Sequence, residues 1–292
     1  MLAGGAGFGT YLQTHAIRSH RNPAPTPTVP VAAALTQALA PPPSSAAPAP
    51  GAEPRPAAVA RALASAAASP ALGDRLLARG IDVRTGTVLY GEHATSTASP
   101  ASTAKLLTAA AVLTVYPATH RFTTSVVAGP AGTLVLVGGG DPTLTAAHSA
   151  GTGARASKPA YPDAARISDL AAGVRAQNVP VSRILVDGSL FTGPAVLPVW
   201  APEDVPSDYG AAITAITVDG GRAAPGDAIR SSAPDLAAGH ALAAALGRPG
   251  LPVSRGHAPA GTAALASVES APVSELIAQM LKDSDNVIAE TL

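Results

Sequence analysis

One lysine constrains this chain more than any other residue. Lys105 heads the apolar run 106–113 and stands three residues after Ser102. Pro100 lies just ahead of them; it has no N–H to leave unbonded, and its φ is already helical. The spacing therefore predicts a helix from about Ala101, with Ser102 in its first turn. Residues three apart on a helix share a face, so the hydroxyl and the amine meet. Unbonded backbone N–H groups and the positive end of the helix dipole lie beside the serine oxygen. A hydroxyl beside an amine makes a nucleophile without histidine. Ser102 is the candidate acylating serine and Lys105 its base. The pattern occurs once: the other lysines, Lys158 and Lys282, have Arg155 and Gln279 three residues before them.

Composition narrows the remaining classes. With 292 residues there is room for more than one average domain. At 47 % hydrophobic and 13 % charged, a sizeable core is possible. A net charge of zero argues against nucleic-acid binding, which needs a basic surface. The absence of cysteine removes disulfides, Cys-based zinc sites and thiol catalysis. The histidines are scattered without H-E-x-x-H spacing, so no metal and no cofactor is expected.

Along the chain, Leu2–Leu12 is apolar and small, too short to span a bilayer, and followed by positive charge instead of preceded by it. Residues 1–21 read as the remnant of a signal or membrane anchor that starts upstream of Met1. Glycines 4, 5, 7 and 9 fail the G-x-G-x-x-G spacing. Residues 22–56 are rich in Pro, Ala and Ser and read as an extended spacer. A helix follows over 57–69, then a hairpin of 76–83 and 87–90 around a Gly-containing turn. A second strand pair, 121–127 and 133–137, runs into Gly138-Gly139-Gly140-Asp141-Pro142. That run lacks the G-K-[ST] of a phosphate loop and reads as a sharp turn capped by Asp141. Residues 146–162 read as loop, 164–176 as helix, 184–186 as strand, 213–218 as strand and 236–246 as helix. Short strands are expected over 251–254 and 263–268. The stretch 198–209 holds the only tryptophan, Trp200, with Glu203, Asp204, Asp208 and Tyr209. It reads as an irregular loop packing its aromatic residues, not as a working carboxylate pair. A last helix, 274–281, carries Leu276, Ile277, Met280 and Leu281 as its stripe. Lys282-Asp283-Ser284-Asp285-Asn286 then leads into a new apolar run. Taken alone, that polar stretch is a turn in which Ser284 or Asp285 caps the second helix.

Taken with Ser102, it is more. Ser-x-x-Lys at a helix start, followed much later by Ser-x-Asn at a helix–helix corner, is a pair found in penicillin-recognising serine enzymes. Of the three asparagines (Asn22, Asn178, Asn286), only Asn286 has a serine two residues before it. The residue types suit the chemistry. A desolvated lysine loses proton affinity and can act as base. Ser284 can relay a proton between Lys105 and a leaving nitrogen, and the Asn286 amide can hold a substrate peptide group. The backbone N–H of Ser102 supplies one oxyanion donor.

On these residues the chain resembles the D-alanyl-D-alanine carboxypeptidase/endopeptidase family of low-molecular-mass penicillin-binding proteins (peptidase family S13), and its actinobacterial members most. The resemblance rests on Pro100–Lys105 with its apolar tail, Leu136–Pro142, Ile184–Asp187 and Met280–Asn286, and runs from about residue 70 to the C-terminus. It implies an exported, cell-envelope enzyme that acylates its serine with D-Ala-D-Ala stem peptides of peptidoglycan, releases D-alanine or cleaves cross-links, and is trapped by β-lactams. It implies an α/β (α+β) transpeptidase/β-lactamase-like domain, 57–120 and 269–292, interrupted by an inserted β-rich domain, 121–268. The family's third motif, Lys/His-Thr/Ser-Gly, is absent; its strand would bind the substrate carboxylate and give the second oxyanion N–H. The expectation is a C-terminally incomplete catalytic domain that folds poorly and has little activity. Two other readings stay open: a β-lactamase or serine esterase sharing Ser-x-x-Lys, and a non-catalytic envelope protein that binds cell-wall peptides. The long span between motifs and Gly-Gly-Gly-Asp-Pro favour the carboxypeptidase; the missing third motif favours the non-catalytic protein.

Overall fold

The computed structural model describes residues 54–73, 75–147, 159–222 and 227–292. The signal or anchor remnant at 1–21, the spacer up to 53 and most of the loop at 146–162 lie outside the described residues. The chain divides into two compact units, one within Ala38–Ala101 and one that includes Ser102–Leu292.

The small unit begins with α1 (Pro56–Ala67), whose Pro56 fits the first helical position because that N–H has no partner anyway. Alanine-rich, with Val59 and Leu63 as its larger apolar side chains, α1 buries no residue fully and packs against the second strand of the hairpin. Strands β1 (Ala78–Ile81) and β2 (Val88–Glu92) pair antiparallel, Ala78 opposite Glu92 and Gly80 opposite Tyr90. Asp82 closes the turn by accepting the N–H of Arg84 and Thr85.

The large unit takes up the chain at Ser102, within a 3-10 turn, Ala101–Ala104, that runs into α2 (Lys105–Val115). After it come β3 (Thr123–Ala128), β4 (Thr133–Val137), α3 (Ile167–Ala176) and β5 (Arg183–Asp187). Then follow α4 (Pro234–Ala245), β6 (Val253–Arg255), β7 (Ala264–Glu269), α5 (Val273–Asp283) and α6 (Asn286–Thr291). The sheet order is β6-β5-β4-β3-β7. β4, β5 and β6 are parallel neighbours, and β3 is antiparallel to both β4 and β7. Parallel neighbours need a crossover connection, and α3 and α4 provide the two. Both helices bury their apolar stripes against alternate residues of the strands. Val126, Leu134, Leu136, Ile184 and Val186 meet Leu170 and Val174 of α3 and Ala238 and Leu242 of α4 in one core. Glycine allows the close approach: a Cβ at Gly239 would lie 2.5 Å from Val253 Cγ1 and 2.8 Å from Val186 Cγ2.

The triple glycine forms no hydrogen-bonded turn of its own: Gly138 N–H bonds Asp187 O at 3.0 Å, Gly140 N–H bonds Ala215 O at 2.9 Å, and the chain bends at Gly140, φ 86°. The Asp141 carboxylate accepts Thr143 N–H at 2.8 Å and Thr143 Oγ1–H at 2.6 Å. Glycine is needed there because a Cβ on Gly139 would stand 1.9 Å from Thr123 O. The strand expected over 213–218 does not form. Ala215, Ile216, Thr217 and Val218 are all buried, without the alternation of a strand that has one exposed face. The Thr214 hydroxyl takes the Ile216 carbonyl at 2.6 Å, and only an isolated bridge joins Ile216 to Asp141.

A second core joins α2, α5 and α6 through Ala109, Val112, Val273, Ile277, Met280 and Ile288, with Tyr161. In α5 the stripe is Val273, Leu276, Ile277 and Met280, at i, i+3, i+4 and i+7. Leu281 lies off that stripe and is 40 % exposed. The end of β7 ties this bundle to the sheet. Ser270 Oγ accepts Phe122 N–H, and Val273 N–H bonds His120 O. Among the described residues no helix is long and apolar enough to cross a membrane.

Candidate active site

Ser102 and Lys105 meet at the start of α2. The 3-10 turn sets this up, because three residues per turn place i and i+3 in line. Lys105 Nζ lies 3.4 Å from Ser102 Oγ. Unlike an ordinary helix-surface lysine, it is only 8 % exposed. Burial pushes its amine below the usual lysine value, while the carboxylates of Asp285 and Glu290 pull it partly back.

The corner between α5 and α6 comes to the same place. Ser284 ends α5 in the left-handed region, φ 53° and ψ 36°. Glycine is the usual residue there, since a Cβ costs roughly 1 kcal/mol in that conformation. The conformation aims the side chain at α2: Ser284 Oγ–H donates to Ser102 Oγ at 2.6 Å. Two residues on, Asn286 Oδ1 accepts from Lys105 Nζ at 2.6 Å. All four residues singled out from the sequence thus form one hydrogen-bonded group, across 181 residues between Lys105 and Asn286. Ser102 accepts from Ser284, which leaves its own proton free to go elsewhere.

Asp285, between the two, caps α6. Its Oδ1 accepts Val287 N–H at 2.8 Å and Ile288 N–H at 3.1 Å. Its Oδ2 accepts Tyr161 O–H at 2.7 Å and a guanidinium N–H of Arg230 at 3.2 Å. Burial alone would raise this carboxyl, but Arg230 and then the Tyr161 bond outweigh it and hold it low. Tyr161 is pushed up to about 12, first by burial and then by Asp285. The sequence offered no sign of Tyr161 or Arg230, which lie in stretches without period. The only available signal was that a buried Asp285 would need a cation.

Beside this group is a cleft of about 220 Å³ lined by Tyr161, Tyr209, Arg222, Arg230, Ser284 and Asn286, among others. Here the expectation for 198–209 is corrected. Tyr209 is 48 % exposed and faces the cleft instead of packing inward, its O–H on Asp204 Oδ1. The Asp204 carboxylate also accepts the Ala201 N–H and closes the 3-10 turn Pro202–Asp204.

The chain that brings two serine hydroxyls, a buried amine and an amide together in this way matches a known family in sequence. The family model of D-Ala-D-Ala carboxypeptidase 3 (S13) matches residues 59–226 and 223–292. The chain belongs to the S13 family. It is 42 % identical over 231 residues to Carboxypeptidase Rv3627c of Mycobacterium tuberculosis, covering 77 % of this chain and 49 % of that protein. It is 40 % identical over 230 residues to Carboxypeptidase DacB of Mycolicibacterium smegmatis, covering 77 % and 48 %. The S13 chain therefore spans about half the length of the relatives it matches. Penicillin-binding protein 4 (dacB) of Haemophilus influenzae superposes with a TM-score of 0.56 at 17 % identity, over 73 % of this chain and 60 % of that one. The α/β (α+β) penicillin-binding fold that the family resemblance implies is thus the fold of this S13 chain.

Proposed function

We propose that the protein is a serine-type D-Ala-D-Ala carboxypeptidase or endopeptidase that acylates Ser102 with peptidoglycan stem peptides. The observation that carries this is the hydrogen-bonded group of Ser102, Lys105, Ser284 and Asn286. Membership of the S13 family favours it over a β-lactamase, an esterase or a non-catalytic peptide binder.

Ser102 Oγ attacks the carbonyl carbon of the D-Ala-D-Ala bond, and its proton passes to the neutral Lys105 amine. Burial keeps that amine neutral more easily than in water. The oxygen that becomes negative is met by the Ser102 backbone N–H. Ser284 Oγ passes the proton on to the leaving nitrogen, the C–N bond breaks, and D-alanine or the cross-linked strand departs. Asn286 holds the substrate amide in line. Water then hydrolyses the acyl-enzyme. A β-lactam follows the first half of this path, and its ring-opened amine stays tethered in the site. Stem peptides and β-lactams are the proposed ligands, and the cell envelope, reached by export, the proposed location.

The test is labelling by a fluorescent penicillin of the protein made from its full reading frame. Wild type should carry one covalent label, and Ser102→Ala none. Equal labelling of the mutant would remove Ser102 as nucleophile.

A further inference from the structure

We propose that Arg230 is a positioning residue for the Ser284–Asn286 corner: through Asp285 it holds the corner where Ser284 reaches Ser102 and Asn286 reaches Lys105. This rests on the reading of Ser102 as the acylated serine.

The geometry is that of a strut. Arg230 is 5 % exposed and spends its fork on three partners. Nη1 bonds Gly220 O at 2.6 Å, Nε bonds Asp208 O at 3.2 Å, and Nη2 bonds Asp285 Oδ2 at 3.2 Å. Its own N–H bonds Ser207 O at 2.9 Å. Two backbone segments are thereby tied to one carboxylate. Tyr161 adds a second tie to the same Oδ2, and is itself held by Arg222 Nη1 at 3.1 Å. Space for this stack depends on Gly220, where a Cβ would lie 2.0 Å from Tyr161 Oη and 3.0 Å from Arg230 Nη1.

Asp285 divides its two oxygens between two tasks. Oδ1 sets where α6 begins, and Oδ2 fastens that point to the rest of the unit. Ser284 and Asn286 are its immediate neighbours, so a shift at Asp285 moves both reacting contacts together. A buried ion pair adds little net stability over apolar residues of the same volume. Its value here is geometric, since Ser284 stands in a strained conformation that neighbouring structure has to impose. The pair has an electrostatic consequence too. Asp285 and Glu290 are the carboxylates acting on Lys105. Arg230 and Tyr161 act on Asp285 directly, and Arg222 stands behind Tyr161. Arg230 therefore offsets a charge that would otherwise make Lys105 a harder amine to deprotonate.

The experiment uses the full-reading-frame protein as wild type, Arg230→Lys and Arg230→Met, with penicillin acylation followed across pH and amide hydrogen exchange followed by peptide. Arg230→Met should acylate about 100-fold more slowly per folded molecule, with its acid limb moved to higher pH. The peptide covering 280–292 should exchange faster while the sheet peptides stay unchanged. Arg230→Lys keeps the charge and loses the fork, so its acid limb should stay near wild type while its rate falls part of the way. It carries the test if Arg230→Met does not fold. An unchanged rate, pH profile and 280–292 exchange in a folded variant would overturn the proposal. If wild type does not label but Arg230→Met still loosens 280–292 alone, the reading of Ser102 fails and the strut stands.

Discussion

The sheet core and the α2–α5–α6 corner lie in one unit and are built on opposite terms. The core around Leu136, Leu170, Ile184 and Leu242 is apolar throughout, and its backbone bonds run in ladders and helices. Strand pairs such as Leu134 with Ile184 and Leu136 with Val186 repeat one rule along its length. The corner also buries apolar residues, but among them it buries Lys105, Asp285 and Arg230 and fixes Ser284 in a left-handed conformation. Each of those features costs stability unless a specific partner offsets it. The core thus explains why the unit folds, and the corner shows where the fold gives up stability to hold polar side chains close.

The contrast makes separable predictions. The largest concerns the core. Leu136 is fully buried, so Leu136→Ala should lower unfolding free energy by about 2–5 kcal/mol in a urea titration. The acylation rate of its folded fraction should not change; a slower folded fraction would mean that core and corner are not independent. Next is the corner. Ser284→Gly suits the left-handed backbone and removes the hydroxyl at Ser102. Melting temperature should hold or rise, while acylation slows by about 100-fold or more. A parallel loss of both would end the distinction drawn here. The smallest concerns a place where the core region breaks its own rule. Asp141 is buried, its Oδ2 has no partner, and burial raises its carboxyl above the ordinary value. A raised carboxyl contributes stability below its unfolded value, near 4, and loses it as pH rises through the folded value. Asp285, held low, has the opposite sign: its contribution is present above about 4 and fades as pH falls through its folded value. Asp141→Asn should therefore gain on wild type as pH rises from about 4 towards neutrality, by on the order of 1 kcal/mol. Denaturation midpoints at a series of pH values measure this, and a gain that shrinks with rising pH would reverse the assignment.

Much of the fold was legible because it follows local periods. The apolar spacing predicts α3 over 164–176 and it forms over Ile167–Ala176; it predicts α4 over 236–246 and that helix forms over Pro234–Ala245. The hairpins around Gly86 and Gly132 fall where turn residues separate apolar runs. The strand expected at 213–218 does not form because a short apolar run alone cannot distinguish a ladder from a buried loop whose carbonyl is claimed by a side chain. The loop at 198–209 departs from the expected aromatic packing because nothing local tells a tyrosine whether its neighbours leave a cleft.

For the candidate site, the sequence by itself determined one contact in kind. Ser102 and Lys105 are three residues apart where a helix must start, and helix geometry brings them together with no help from the rest of the chain. It also marked Ser284 and Asn286 as a second pair by chemical type. Only the tertiary structure decided that the two pairs meet, that Lys105 is buried at 8 % exposure, and that Asp285 is held by Tyr161 and Arg230. Side-chain spacing is set by backbone geometry within a few residues. Contact, burial and the pKa shifts they cause depend on which distant segments pack together.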